Sequence, residues 1–456
     1  MIRRREVASR EVVDAHIRQI EEVNPRLNAV VCTRFDDARR EADDADRRIQ
    51  SDGASELPPF FGVPCTIKEC FALEGMPQTS GLVARKGQLA TEDAITVGRL
   101  RAAGAIPLGV TNLSELCMWM ESNNRVYGRT NNAYDPGRTA GGSSGGEGAI
   151  IGSGGAPFGL GSDIGGSIRM PAFFNGVFGH KPSAGLVDNA GQYPTAHGAA
   201  NRFLVTGPLA RKAVDLAPLV SILAGTSVGD PREVALAELE VVSIESDGRT
   251  HVDERLIEAQ RRALSALERR GARIRTVRVP RLARALEIWS AMMGAAGGPT
   301  FSELLGNGAA FHVGRELARW ATGRSPHTLP ALFLALVERA PKLLAGASKD
   351  AINEGRLLKE ELTALVGDRG ILLYPPYATL APRHYEPLAF PMRWVYTAVF
   401  NVMEMPVTEV PLGLDASGLP LGVQIAASHG NDRLTLAAAL ALEEELGGWV
   451  PPRAAV

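Results

Sequence analysis

The sequence predicts a single large α/β domain that spans residues 1–456. Short apolar runs, which are typical of buried strands, alternate with longer charged stretches that have helical periodicity. The chain has 456 residues, of which 45% are hydrophobic, and can therefore bury a large core. No internal repeat or low-complexity linker divides it, so we expect one domain and not two jointed ones.

The N-terminal part begins this alternation. We expect a helix with Ser9 as its N-cap, followed by an apolar stripe at three- and four-residue steps. The stripe consists of Val12, Ala15, His16, Ile20 and Val23. Residues 60–67 then have the apolar pattern of a short buried strand that places Lys68 at its end. Strand ends are where α/β enzymes put catalytic groups, which makes Lys68 a candidate.

Helix and strand continue to alternate toward the C-terminus. Residues 95–103 are predicted to be helical. Further strands are predicted at residues 105–110, 239–244, 273–277, 371–374 and 406–412. This order is typical of an α/β sheet.

The segment 282–344 interrupts the alternation because it is apolar but irregular. It contains Trp289, Met292, Met293, Phe301, Phe311, Trp320 and Phe333. Two interpretations stay open: a helical insert that lines an apolar substrate channel, and a helical layer that covers the sheet.

Charge and cysteine usage exclude several classes of function. The 49 Lys and Arg residues nearly balance the 51 Asp and Glu residues, giving a net charge of −2, so no nucleic-acid partner is expected. Arg3, Arg4 and Arg5 are not followed by an apolar run, so we expect a cytoplasmic protein without a membrane anchor. The four cysteines, which show no CxxC spacing, and eight histidines, which show no HExxH motif, predict neither a metal nor another cofactor. The cysteines are Cys32, Cys65, Cys70 and Cys117.

The region from residue 137 to residue 185 is dense in glycine and serine. It contains GGSSGGEG at 141–148 and GSDIGGSIRMP at 161–171. Glycine-rich runs expose consecutive N–H groups that can hold a phosphate or an oxyanion. Because the chain has no GxxxxGK[ST] motif and no GxGxxG after a strand in this region, an oxyanion is favoured.

The run GGSSGG also contains GxSxG in two overlapping registers, which would make Ser143 or Ser144 the nucleophile of a Ser-His-Asp enzyme. No downstream Asp and His stand in a setting that completes such a triad. His180 is the nearest histidine, and its place at a strand or turn boundary indicates a structural role. We therefore disfavour this alternative.

Lys68 and the two glycine-rich motifs, taken in order and spacing, resemble the signature of the amidase-signature family. Three further stretches resemble most the second type of fatty-acid amide hydrolase and its bacterial relatives: SELCMW at 114–119, FFNGVFGHKPS at 173–183 and NDRLTLA at 431–437. The resemblance covers nearly the whole chain. It implies an α/β fold with a mixed central β-sheet covered by α-helices on both faces.

The resemblance also implies a catalytic triad. Ser167 is then the nucleophile, Ser143 is a bridging serine that follows a cis peptide bond after Gly142, and Lys68 is the base. A lysine can accept a proton only when it is neutral, and desolvation beneath a glycine-rich lid favours the neutral form.

Further residues take roles from the same resemblance. The backbone N–H groups of Ile164, Gly165, Gly166 and Ser167 are implied to form the oxyanion hole. Ser144, Asp163 and Arg169 are implied to support these loops, and the backbone around Cys117 and Met118 is implied to face the substrate.

The function implied is hydrolysis of a small-molecule amide to a carboxylic acid and an amine, with a lipophilic acyl or aryl part and with esters as further substrates. Carbamate hydrolysis is one alternative, and a glutamine-hydrolysing amidotransferase subunit is another. A non-catalytic binding module is disfavoured because all three triad positions are filled. Homodimerisation is a further expectation from the family.

Overall fold

Most strands of the protein are short apolar runs whose side chains are buried along their whole length. The computed structural model describes residues 1–52, 57–338 and 345–453. Eleven strands of the described residues form one sheet, in the order β1-β3-β2-β6-β8-β7-β12-β13-β11-β9-β10. They are β1 Val30–Thr33, β2 Pro64–Lys68, β3 Ile106–Thr111, β6 Phe158–Asp163, β7 Phe178–Lys181, β8 Val205–Ala210, β9 Glu240–Ser243, β10 Arg273–Thr276, β11 Gly370–Tyr374, β12 Val407–Leu414 and β13 Pro420–Ala427. A separate pair consists of β4 Asn123–Asn124 and β5 Gly128–Arg129.

Helices connect and cover these strands. They are α1 Ser9–Leu27, α2 Phe35–Asp52, α3 Ile95–Ala102, α4 Gly145–Gly152, α5 Arg169–Phe174, α6 Ala200–Phe203, α7 Leu216–Ala224, α8 Glu254–Arg269, α9 Ala285–Ala295, α10 Phe301–Gly306, α11 Val313–Ala321, α12 Leu329–Val337, α13 Ala345–Val366, α14 Glu386–Ala389, α15 Val395–Val402 and α16 Asp432–Leu446. In the described part of the chain, no helix is both long and apolar enough to cross a lipid bilayer.

The sheet is mixed, as predicted. Strand β2 runs parallel to β3 and β6, and β9 runs parallel to β10 and β11. From β6 through β8, β7, β12 and β13 to β11, each strand pairs antiparallel with the next, and the edge strand β1 is antiparallel to β3. Two groups of parallel strands therefore flank an antiparallel centre, and β1 adds one antiparallel strand at an edge of the sheet.

Both faces of the sheet are covered, which confirms the predicted layers. Neighbouring residues on a strand point to opposite faces. On β8, Leu209 belongs to a cluster with Ile17 of α1 and Ile150 of α4, whereas Ala210 belongs to the main core with Leu219 of α7. Strands buried on both faces in this way are typical of sheets that lie between helical layers.

Helix α1 begins one residue away from the predicted position. Ala8 is its N-cap, and Ser9 is its first residue. The Ser9 hydroxyl donates to the Gly62 carbonyl at 2.7 Å, and the Asp46 carboxylate accepts the Ser9 and Arg10 N–H groups at 2.7 and 3.0 Å. The prediction of Ser9 as N-cap is therefore wrong, because a residue from α2 satisfies these N–H groups.

The segment 282–344 is helical over most of its described part, in α9, α10, α11 and α12. Leu282 and Ile288 join the main core. A smaller apolar cluster joins Phe301 and Leu305 of α10 to Leu116. Residues 339–344 of the predicted segment lie outside the described residues.

Candidate active site

The parallel strands β2 and β6 bring the candidate residues to one edge of the sheet. Lys68 is the last residue of β2, and β6 ends at Asp163, directly before the loop 164–167. The two strands are neighbours, with Ile67 opposite Leu160. The carboxyl ends of parallel strands meet at the same edge, which is where α/β folds place their sites.

Lys68 lies at the centre of a buried hydrogen-bond cluster. Its side chain is 0% exposed, and Nζ lies 2.7 Å from Ser143 Oγ and 2.9 Å from Ser162 Oγ. The peptide bond between Gly142 and Ser143 is cis, as predicted. The structure therefore brings Lys68 and Ser143 together.

Sequence reasoning missed Ser162, the second hydroxyl on Lys68. It lies on β6 inside the second glycine-rich motif. In the structure, the parallel pairing of β6 with β2 puts Ser162 beside the end of β2. The sequence carried no signal for this pairing, because β6 contains two glycines and lacks the pattern of a strand.

Ser167 is the most open of the three candidate catalytic residues. It is 6% exposed, against 1% for Ser143 and 0% for Lys68. The Ser144 N–H donates to the Ser167 carbonyl at 3.2 Å, and the Ser144 hydroxyl donates to the Ser162 carbonyl at 3.3 Å. Ser144 thus joins the two glycine-rich loops. Within the described residues, the Ser167 hydroxyl makes no hydrogen bond to a protein group.

The four N–H groups implied for the oxyanion hole are not equivalent. The Gly166 N–H donates to Asp163 Oδ1 at 2.7 Å. Those of Ile164, Gly165 and Ser167 donate to no acceptor in the described parts of the chain. Three of the four donors therefore still have their hydrogen-bonding capacity unused.

Asp163 and Arg169 form a fully buried ion pair behind this loop. The Asp163 carboxylate accepts the Gly166 and Ile168 N–H groups at 2.7 and 3.1 Å, and Arg169 Nε and Nη2 at 3.1 and 3.0 Å. Burial alone would raise the pKa of Asp163, but the Arg169 guanidinium holds it well below its usual range. Asp163 is therefore charged, and its bonds to the Gly166 and Ile168 N–H groups fix the conformation of the loop 164–167.

The remaining bonds of Arg169 reach distant parts of the chain. Its Nη1 donates to the Thr397 carbonyl at 2.8 Å and to Gln424 Oε1 at 3.0 Å, and its Nη2 donates to Asn401 Oδ1 at 2.7 Å. The Asn401 amide donates in turn to Asp163 Oδ1 at 2.9 Å. Helix α15 and strand β13 thereby hold the pair.

A second buried carboxyl group ties α4 to the sheet. Glu147 accepts the hydroxyls of Thr66 and Thr111 at 2.6 and 2.8 Å. Burial raises the pKa of Glu147 to about 8. Because Thr66 precedes Lys68 by two residues on β2, this contact fixes the strand against the helix that follows Ser143.

Cys117 and Met118 lie on a loop whose backbone is turned sharply. Leu116 and Cys117 have φ angles of 54° and 60°, which are uncommon for residues other than glycine. The Cys117 thiol lies 3.6 Å from the Ser80 hydroxyl. Hydrogen bonding with the Cys70 thiol is the main cause that lowers its pKa below the ordinary value.

Met118 faces a different neighbourhood. It packs at the edge of the cluster that contains Leu116 and Phe301. The loop therefore stands between the Lys68 cluster and the helices of segment 282–344.

His180 does not contact the candidate serines. Its ring nitrogens bond to Thr408 Oγ1 at 2.8 Å and to Asp432 Oδ1 at 3.1 Å. The Ser144 hydroxyl bonds to a carbonyl group instead. The geometry thus gives no support to a Ser-His-Asp triad built on the GxSxG match.

Comparisons with known proteins agree over nearly the whole chain. The model of the amidase family matches residues 11–436. Fatty-acid amide hydrolase 2-A of Danio rerio is 47% identical over 470 residues, which cover 99% of this chain and 88% of that protein. Fatty-acid amide hydrolase 2 of Homo sapiens is 45% identical over 476 residues, with the same coverage of 99% and 88%. A solved structure described as the crystal structure of an amidase has a TM-score of 0.80 and 27% identity and covers 97% of each chain.

Proposed function

The chain belongs to the amidase family and hydrolyses the C–N bond of carboxylic amides, and we propose that it does so through an acyl-enzyme on Ser167. In this proposal Ser143 transfers protons and Lys68 is the base. The observation that carries the proposal is the bond of 2.7 Å between buried Lys68 Nζ and Ser143 Oγ, beside the loop that bears Ser167.

Acylation begins when Ser167 Oγ attacks the amide carbonyl carbon. Ser143 accepts the proton of Ser167 and passes its own to neutral Lys68, since a serine hydroxyl is a poor nucleophile until a neighbour takes its proton. Ser143 and Ser167 come within hydrogen-bond distance in the substrate complex, because such contacts often tighten only there. Ser143 then returns the proton to the leaving amine, and Lys68 returns its proton to Ser143.

The oxyanion that forms on the carbonyl is stabilised by backbone N–H groups of the loop 164–167. Removing one such donor typically costs about 3 kcal/mol of barrier. The N–H groups of Ile164, Gly165 and Ser167, which donate to no acceptor among the described residues, support this role. In deacylation, water takes the place of the amine and the same relay releases the carboxylic acid.

We propose a lipophilic acyl or aryl group as the acyl part of the substrate. The similarity to proteins named fatty-acid amide hydrolases supports this choice. So does the apolar cluster of Leu116, Met118 and Phe301, which joins segment 282–344 to the candidate substrate loop. This segment then lines the acyl channel, and Phe301→Ala should change the preferred acyl chain length.

Esters and carbamates are secondary substrates in this proposal, because each presents a carbonyl with a leaving group and forms the same oxyanion. A glutamine-hydrolysing amidotransferase subunit is disfavoured because the cluster beside the site is apolar. Glutaminase activity of the purified chain, without activity on apolar amides, would reverse this ranking.

We further propose that the enzyme works in the cytoplasm as a homodimer on small-molecule substrates. Four free cysteines among the described residues favour a reducing compartment. The homodimer follows from the family resemblance, and sedimentation analysis of the purified chain tests it.

The decisive experiment compares wild type, Ser167→Ala and Lys68→Ala on a panel of anilides, fatty amides, esters and carbamates, with a fluorophosphonate as covalent probe. We expect wild type to hydrolyse fatty amides and anilides best. Turnover and labelling should be lost in Ser167→Ala, and turnover in Lys68→Ala. Labelling that survives in Ser167→Ala would refute the nucleophile and point to Ser144.

A further inference from the structure

The peptide unit between Ile164 and Gly165 is held by a residue outside the signature motifs. The indole Nε1–H of Trp289, on α9, donates to the Ile164 carbonyl at 3.1 Å. The cis peptide bonds of the described residues lie elsewhere, at Gly142–Ser143 and Tyr193–Pro194. In a planar trans peptide the C=O and N–H groups point in opposite directions. The Gly165 N–H therefore points away from the indole.

The next peptide unit is held at both ends. The Thr397 hydroxyl donates to the Gly165 carbonyl at 2.8 Å, and the Gly166 N–H donates to Asp163 at 2.7 Å. This N–H group is already engaged with a charged acceptor. The two peptide units thus differ: one keeps its N–H available, and the other does not.

Packing keeps the indole in place. The rings of Trp289 and Trp394 meet edge to face, with centroids 4.8 Å apart. A Cβ atom on Gly165 would lie 2.8 Å from the Trp394 ring, so the loop lies directly against the pair. Trp289 has little freedom to release the Ile164 carbonyl.

We infer that Trp289 is a positioning residue of the oxyanion hole, which orients and polarises the Gly165 N–H through the Ile164 carbonyl. A hydrogen bond to a carbonyl strengthens the donor at the other end of the same peptide unit. The inference rests on the proposed function, in which this N–H group stabilises the tetrahedral intermediate. It makes segment 282–344 part of the catalytic geometry as well as of the acyl channel.

The test is Trp289→Phe, which keeps an aromatic ring and removes the donor. We expect kcat to fall about tenfold with KM changed less than about twofold, since removing one oxyanion donor outright costs roughly 100-fold or more and here the donor is only loosened. A trifluoromethyl ketone analogue, which forms a tetrahedral adduct with Ser167, should bind about tenfold more weakly, whereas the carboxylic acid product should bind unchanged.

Trp449→Phe is the matched control. Its indole also donates to a backbone carbonyl, that of Gly152 at 3.0 Å, at the far end of α4. The same chemical change there should leave kcat and ketone affinity unchanged. If Trp289→Phe does not fold, β-(3-benzothienyl)alanine at position 289 keeps the size and shape of the indole and replaces only its N–H.

A folded Trp289 variant with wild-type kcat would overturn the inference. So would equal losses of affinity for the ketone and for the acid, because that pattern indicates a packing role only. Failure of the proposed function looks different: the wild type itself would then show no labelling of Ser167.

Discussion

The buried pair of Asp163 and Arg169 offers the strongest test of how the loop around Ser167 is shaped. Both side chains are 0% exposed. Asp163→Asn keeps the size of the side chain but removes the charge that faces Arg169. It also replaces one acceptor oxygen by an NH₂ group, in a place where the Gly166 and Ile168 N–H groups point inward.

The expected loss follows from the burial of the partner. Breaking a buried ion pair from one side leaves an uncompensated charge and costs about 3–5 kcal/mol. Asp163→Asn should therefore lower the free energy of unfolding by about 4 kcal/mol in urea denaturation followed by circular dichroism. We also expect kcat on an anilide to fall about 100-fold, because a shift of about 1 Å in a catalytic loop has that effect.

A double variant separates charge from loop shape. Asp163→Leu combined with Arg169→Met removes both charges, and replacement of a buried pair by apolar residues is often neutral for stability. We expect it to regain only part of the lost stability, since Thr397, Gln424 and Asn401 lose the Arg169 donor, and none of the activity, since Gly166 and Ile168 still lack an acceptor. A loss of less than about 1 kcal/mol in Asp163→Asn, or recovery of activity in the double variant, would refute this reasoning.

Three further predictions concern titratable groups whose pKa is shifted. Iodoacetamide should label Cys117 faster than an ordinary thiol at pH 6.5, because hydrogen bonding with the Cys70 thiol lowers the pKa of Cys117. Mass spectrometry locates the label. A labelling rate that still rises tenfold per pH unit up to pH 8 would contradict the lowered pKa. Burial lowers the pKa of Lys181 to about 7, so the folded state loses stability as pH falls from 10.5 toward 7. The free energy of unfolding of Lys181→Met, measured relative to wild type, should therefore increase by about 2 kcal/mol between pH 9 and pH 7. Urea denaturation of both proteins at the two pH values checks this, and a difference in unfolding free energy that is equal at both pH values would argue against it. Glu409 is buried, its oxygens hydrogen-bond to no described residue, and burial raises its pKa well above 4.5. Wild type should therefore lose stability as pH rises above about 4.5, so the Tm of Glu409→Gln should increase relative to wild type from pH 5 to pH 8; a constant difference would exclude a neutral Glu409.

Periodicity predicted the existence of α1 but not which side of it is buried. The structure buries Ile20 and Val23 of the predicted stripe, but it buries Val13 and Ile17 in place of Val12, Ala15 and His16. Adjacent apolar residues such as Val12 and Val13 fit two stripes equally well. The contact with the rest of the fold decides between them, and that contact is not local.

The glycine-rich strands were invisible to the same reasoning. Strand β6 contains Gly159 and Gly161, which lack the branched side chains that mark a strand. A Cβ at Gly159 would lie 1.8 Å from Glu147 Oε2 on α4, so glycine is there because the helix lies so close to the sheet. The signature motifs nevertheless predicted that Lys68 and Ser143 lie together, because the resemblance rests on the order and spacing of the motifs and not on periodicity.

Two partners of these loops come from distant sequence, which explains why Asn401 was not assigned to the site in advance and why Trp289 was named only as part of a possible substrate channel. Asn401 and Trp289 reach the loop 164–167 from more than 100 residues away. A hydrogen bond of this kind depends on the packing of α9 and α15 and leaves no periodic trace in the sequence.

Segment 282–344 is anchored to the site at two separate points, and this has a consequence for how specificity can change. Trp289 bonds to the Ile164 carbonyl, while His327 Nδ1 and the Thr328 N–H bond to the Glu115 carboxylate at 2.6 and 2.8 Å. Glu115 belongs to the loop of Cys117, so both sides of the site are tied to the same segment. A substitution that moves these helices to reshape the proposed acyl channel should therefore also move the loop 164–167 or the loop of Cys117. Substitutions that leave both anchoring contacts intact, such as Phe301→Ala, should alter the preferred acyl chain length with little change in kcat on the preferred substrate. Variants that break the Trp289 contact or the Glu115 contact should instead have a lower kcat on every substrate.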